Sequence, residues 1–174
     1  MNTSIRKMQK IGFVFTGISG AVLHFVYEWT GEALFLAPFV SVNESTWEHM
    51  KLLFYPMLVY AMLEYSFFGK NIYAFWCVKL YGIVVGLVAV PIIYYTCIGV
   101  SGALYDIFNV AIFYIAVAAA YTFETYLFEI KMKYASKGIS LLLLFTILLC
   151  FVYFTFYPPK LPLFKDPIDG TFGI

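Results

Sequence analysis

The side chains that could do chemistry are few and sit in two short stretches. Both histidines of the chain stand beside glutamates: His24 and Glu28 in "HFVYEW", and Glu44, Glu48 and His49 in "VNESTWEHM". Imidazole and carboxylate together suit Zn, Mn or Fe. Glu and His on facing helices also build carboxylate-bridged metal pairs. His24 and Glu28 are four residues apart, so a helix puts them on one face. Ser45 and His49 share that spacing, as do Glu44 and Glu48 if a helix starts at Ser41. The plainer reading is that the glutamates are helix caps, because Ser41-x-x-Glu44 and Ser45-x-x-Glu48 both match a capping box. The sequence contains no His-Glu-x-x-His and no Glu-x-x-His, and Glu44 to His49 is a spacing of five, which does not share a face on a regular helix. Asp106 and Asn109, three apart, supply further polar groups at the same expected depth.

From these residues the sequence points to a divalent metal, Zn, Mn or Fe, with His24, Glu28, His49 and Asp106 as candidate ligands. Glu48 or Glu44 is then the candidate general base on a metal-bound water. Without a metal, a carboxylate here could carry protons for a transporter. Three readings follow: a metal-assisted, hydrolase-like enzyme acting on a lipid or amphiphile at the outer leaflet; a small proton- or cation-coupled transporter or its coupling subunit; and a non-catalytic accessory or sensor protein. The first leads.

These residues must be positioned by membrane helices. Hydrophobic residues are 63% of the chain and charged residues 12%, where a soluble domain carries about 25% charged. The net charge of +1 and the scattered basic residues exclude a nucleic-acid interface, which needs clustered Lys and Arg. Crossing a bilayer core takes about 20 apolar residues as helix. Five segments meet or approach that, at residues 11–29, 51–68, 74–97, 103–128 and 138–157. Runs such as "GISLLLLFTILLCFVYF" do not alternate as barrel strands must. Arg6, Lys7 and Lys10 before an apolar run resemble a signal peptide, but further hydrophobic segments follow, so the first helix is expected to be retained.

The expected architecture is therefore all-α, a single polytopic domain over 1–174 with five transmembrane helices. Arg6, Lys7, Lys10, Lys70, Lys131, Lys133 and Lys137 fall on one side of that path. That side is placed in the cytoplasm, with the N-terminus inside, the C-terminus outside and both histidines at the outer end. The tail 158–174 is too proline-rich for a helix and is either an extended cap over the outer face or disordered. Glu64, Lys79 and Glu124 fall toward the inner half and read as a structural ion pair. Asp106 and Glu124 are 18 residues apart on one stripe of the fourth helix, the one hint of a transport route. "AVAAA" at Ala116–Ala120 and the Gly82/Gly86 pair offer close helix contacts, internal or between copies. Cys77, Cys97 and Cys150 read as buried thiols. The expected partners are membrane lipids and a homodimer or membrane-protein partner; Asn43-Glu44-Ser45 is formally a glycosylation acceptor.

"HFVYEW", "SVNESTWEHMKLLFYP" and "PLFKDPIDGTFGI" resemble a family of small bacterial integral membrane proteins of unknown function, over nearly the whole chain. The resemblance implies a bacterial cytoplasmic membrane. It implies too that His24, Glu28, Asn43, Glu44, Glu48 and His49 belong to the family pattern, and it carries no activity.

Overall fold

The computed structural model describes residues 3–102, 106–130 and 136–174. Five long helices follow one another: α1 (Thr3–Trp29), α2 (Thr46–Phe67), α3 (Phe75–Ser101), α4 (Asp106–Glu129) and α5 (Lys137–Phe156). Short 3-10 turns occupy Gly69–Asn71 and Pro162–Phe164. Among the described residues there is no strand, only an isolated bridge between Lys165 and Phe172. Lys131 and Lys133, used above for orientation, lie outside the described residues.

Four helices, α1, α3, α4 and α5, are long and apolar enough to cross a membrane. α2 is as long, about 33 Å at 1.5 Å per residue, but carries Glu48, Lys51 and Glu64. The packing explains why this helix can hold them. α2 lies against α1, α3 and α4, and all three of its charged side chains are buried. The outward faces of its neighbours are apolar instead: Ile11, Ile18 and Phe25 on α1, Ile92 on α3, and Leu142, Phe145 and Tyr153 on α5 are all exposed. Charge inside and hydrocarbon outside is the distribution a bilayer demands.

The helix bounds differ from the apolar segments in instructive ways. α1 starts at Thr3 rather than near residue 11, so its first turns are the basic ones. α2 starts at Thr46, not Lys51, because Ser45 caps it: the Ser45 hydroxyl accepts from the Glu48 amide at 3.3 Å. A start at Ser41 does not occur, so Glu44 is a loop residue and shares no helical face with Glu48. α3 runs on past the expected end at residue 97 to Ser101 and is closed by Gly102 with φ 74°.

The core joins α2, α3, α4 and α5 through Leu53, Phe54, Ile83, Val117 and Phe151. The small residues named above are internal contacts. Ala116 and Ala120 are fully buried. A Cβ on Gly86 would meet Leu53 at 2.9 Å and Ala120 at 3.1 Å, and one on Gly82 would collide with the Glu124 side chain. Gly82 thus lets α4 bring its buried carboxylate against α3. There Lys79 Nζ lies 2.5 Å from Glu64 and 2.6 Å from Glu124, and Gln9 donates to Glu64 at 3.2 Å. The expected ion pair is an ion triad. Between it and the histidine end of α4 lies the packed layer of Ala116, Val117 and Ala120, so the Asp106–Glu124 stripe is filled with apolar side chains.

Candidate metal centre

Three elements bring the histidines together. α1 delivers His24 one turn before its end, where Thr30 closes the helix by donating from its hydroxyl to the Val26 carbonyl at 2.8 Å. The chain then turns through Gly31 and Glu32, both at positive φ, and the returning loop packs Ala37 and Val40 against Tyr27. Two α2 side chains anchor that loop from below. Tyr55 donates to the Pro38 carbonyl at 2.7 Å and Lys51 to the Ala37 carbonyl at 2.9 Å.

The loop's last residues carry Glu44 and are tied on both sides. Asn43 accepts from the Ser45 amide at 2.9 Å and donates to the Gly173 carbonyl at 3.0 Å. Asp166 of the tail is buried and accepts from three amides: Glu44 at 2.9 Å, Ile168 at 2.6 Å and Asp169 at 3.2 Å. The tail is therefore an ordered cap, the first of its two expected forms. Its Phe164 stacks near Trp47, ring centroids 4.7 Å apart. Gly173 (φ 68°) allows its end to lie against the Thr155 carbonyl and Pro158, where a Cβ would sit 2.8 Å from both.

The result is a compact donor set. His24, Glu44 and His49 each offer a ligand atom, and these atoms lie within 4.8 Å of one another. His24 Nε2 is 3.6 Å from Glu44 Oε1, and His49 Nε2 is 3.5 Å from Glu44 Oε2. Both exceed a normal N–H···O hydrogen bond. They match the edge of a tetrahedron whose centre is about 2.1 Å from each ligand, roughly 3.4 Å. The His49 tautomer sharpens the point. His49 Nδ1 lies 3.0 Å from the Ser45 carbonyl, which can only accept, so Nδ1 carries the proton. In the neutral ring Nε2 then presents a lone pair to a carboxylate oxygen, and acceptor faces acceptor. A carbonyl holding the far nitrogen is also the usual support of a metal-bound imidazole.

Beside Glu44 and His49 is a cavity of about 20 Å³, lined also by Tyr94, Asn109, Ile112 and Phe113, room for about one water. Asn109 Oδ1 is buried and makes no hydrogen bond.

The other sequence candidates go elsewhere. Glu28 is exposed on α1 and outside the converging group. Glu48 is buried: it pairs with Lys51 at 2.5 Å and accepts from the Val42 amide at 3.0 Å, about 100° round α2 from its neighbour His49. The Asp106 side chain lies outside the described residues. Tyr94 and the Ser45 carbonyl were not readable as site components, since an aromatic near a helix end reads as an interfacial anchor and a carbonyl has no sequence signature.

The Asp166 clamp is testable alone. Asp166→Ala removes a charged acceptor from three amides, about 3 kcal/mol at roughly 1 kcal/mol or more each. Hydrogen exchange across 42–46 should accelerate while the α2–α3 core keeps its protection. Unchanged exchange at the Glu44 amide would show that Asp166 does not hold this loop.

The comparisons with known proteins place the chain without assigning it an activity. A family model described as "Family of unknown function (DUF6512)" matches residues 1–174, and the chain belongs to that family. No curated protein and no solved structure matches it.

Proposed function

We propose that this member of the DUF6512 family is a membrane-embedded metalloprotein whose His24, Glu44 and His49 hold one divalent cation at the outer end of a five-helix bundle. The single observation that carries this reading is the pair of 3.5–3.6 Å imidazole–carboxylate separations, across which a neutral His49 aims its Nε2 lone pair at Glu44. Two imidazoles and one carboxylate favour Zn, with Mn and Fe as the other candidates. α2 is taken as the fifth span, and the basic start of α1 and the lysine of the α2–α3 turn support a cytoplasmic N-terminus.

Three protein ligands leave a position free, the pattern of catalytic rather than structural zinc. We therefore assign the chemistry as metal-assisted hydrolysis of a lipid or amphiphile. A cation in this set would bring a coordinated water toward a pKa of about 7. Asn109 Oδ1 is the unpaired acceptor available to orient that water in the cavity, and Tyr94 closes it from α3. Glu44 acts as a ligand. Glu48 acts on the fold through Lys51. An amphiphilic substrate fits the surroundings, because the exposed Phe25 lies edge-on to the half-buried His24 and stacks on the exposed Trp29. Transport is the weaker reading, since apolar packing in the middle of α4 separates the two polar ends.

The test is metal content by mass spectrometry on protein purified in mild detergent. About one Zn, Mn or Fe per chain is expected, and Glu44→Ala and His49→Ala should each weaken it more than about 100-fold, beyond the loss typical of supporting residues. Retention should also fall in acid, where protons compete with the metal for its ligands. A chain that takes up no metal after reloading with all three ions sinks the proposal.

A further inference from the structure

At the opposite end of the bundle the α2–α3 turn encloses a second recess, of about 480 Å³. Its polar walls are Tyr65, Lys70, Asn71, Tyr73, Trp76 and Lys137, and no acidic residue lines it among the described residues. Four features converge on negative charge. First, α3, 27 residues long, starts here, and its N-cap is Ala74, which has no side chain to satisfy the amides of the first turn; the Phe75 amide reaches the Ile72 carbonyl at 3.4 Å, and those after it stay open. An open helix N-terminus carries about half a positive charge and free N–H groups. Second, Trp76 is buried to 8% exposure, and its indole N–H lies toward the Tyr65 hydroxyl without closing a well-formed hydrogen bond. It is an under-satisfied donor in the wall of the recess. Third, Lys137 reaches the Tyr65 hydroxyl at 3.0 Å and lies over that ring, which holds its ammonium at the rim. Fourth, Lys70 stands at the end of the Gly69–Asn71 turn.

The surroundings say where the ligand comes from. Phe67, Phe68 and Tyr73 are 75%, 53% and 69% exposed, an aromatic rim of the kind that sits at headgroup depth. The basic start of α1 lies at this same end, where Arg6 pairs with Glu129 of α4 at 3.0 Å. The volume suits a headgroup, not acyl chains. We propose that this recess binds a phosphate group, supplied by the headgroup of an anionic phospholipid in the leaflet at that end. The phosphate oxygens accept from the α3 amides and the Trp76 indole, and Lys70 and Lys137 neutralise them. The site stands on its own residues and shares none with the histidine cluster.

Native mass spectrometry of the detergent-purified chain tests it, with phosphatidylglycerol, phosphatidylcholine, inorganic phosphate and glycerol phosphate added in turn. Phosphatidylglycerol should be retained in preference to phosphatidylcholine. The double variant Lys70→Ala, Lys137→Ala should weaken that retention roughly thirtyfold, about fivefold for each lysine at a charged surface. Trp76→Phe should weaken it further, and Lys160→Ala with Lys165→Ala, at the other end, should leave it unchanged. If glycerol phosphate or phosphate binds alone with the same lysine dependence and displaces the lipid, the phosphate site stands and its source is soluble. Equal retention of the two lipids, or a Lys70/Lys137 variant that binds like the parent, overturns it.

Discussion

Lys79→Met is expected to cost the folded bundle about 3–5 kcal/mol, the penalty for breaking a buried ion pair from one side. Its ammonium is 1% exposed, and it is the shared partner of two carboxylates on different helices, Glu64 at 2.5 Å and Glu124 at 2.6 Å. The rings of Tyr60, Phe75, Tyr121 and Phe128 surround it at 5.6–5.9 Å, adding attraction to a cation and shutting out water. Without Lys79 these carboxylates keep one neutral donor, Gln9, so the variant should lose folded monomer on size exclusion and unfold at a much lower temperature. The triple variant Lys79→Met, Glu64→Gln, Glu124→Gln removes all three charges and should regain most of the loss. If Lys79→Met unfolds at the parent temperature, the triad does not hold α2, α3 and α4 together.

Glu48→Ala is expected to be as costly, and for the mirror-image reason. Lys51 is fully buried. Without Glu48 its ammonium keeps only the Ala37 carbonyl at 2.9 Å and the Thr155 hydroxyl at 3.0 Å, both neutral. A loss of about 3–5 kcal/mol follows from an uncompensated buried charge. The 30–45 loop should loosen with it, because Glu48 also accepts from the Val42 amide. Paired replacement of Glu48 and Lys51 by Gln and Met should restore much of the stability. This separates the structural role from the catalytic one that the sequence allows. A general base replaced by Gln leaves a folded, metal-loaded and inactive protein, whereas Glu48→Gln should leave a destabilised one. Wild-type stability in Glu48→Gln would return Glu48 to the candidate bases.

Much of the architecture was legible because a bilayer makes a severe demand on sequence. A helix facing hydrocarbon must be apolar over its whole length, and the apolar runs of α1, α3, α4 and α5 announce themselves. The depth of the polar groups was legible too: His24 near the end of one helix and His49 near the start of the next must lie at the same end. A cap over that end was one of the two forms expected of the tail, but nothing in the sequence marked Asp166 as the residue that pins the Glu44 amide.

Which carboxylate joins the histidines was decided by the tertiary structure alone. Helical spacing favoured Glu28, four residues from His24, and grouped Glu44 with Glu48. Ser45 caps α2 one residue after Glu44, so Glu44 falls in the loop that Asn43 and the tail's Asp166 hold beside the two imidazoles, while α2 turns Glu48 inward to Lys51. Adjacent helical residues point about 100° apart, and only the positions of α1 and the tail say which direction is the site. The two buried lysines divide differently. Glu48, three residues before Lys51, is a partner that helical spacing allows, but the Ala37 carbonyl and Thr155 hydroxyl that complete the burial of Lys51 are set by the fold. Lys79 was expected to form an ion pair, and the packing gives it two carboxylates, Glu64 and Glu124. Composition and periodicity set the number, length and depth of the helices. The choice of partners across the bundle, and hence the chemistry of both ends, came from long-range packing that no local pattern encodes.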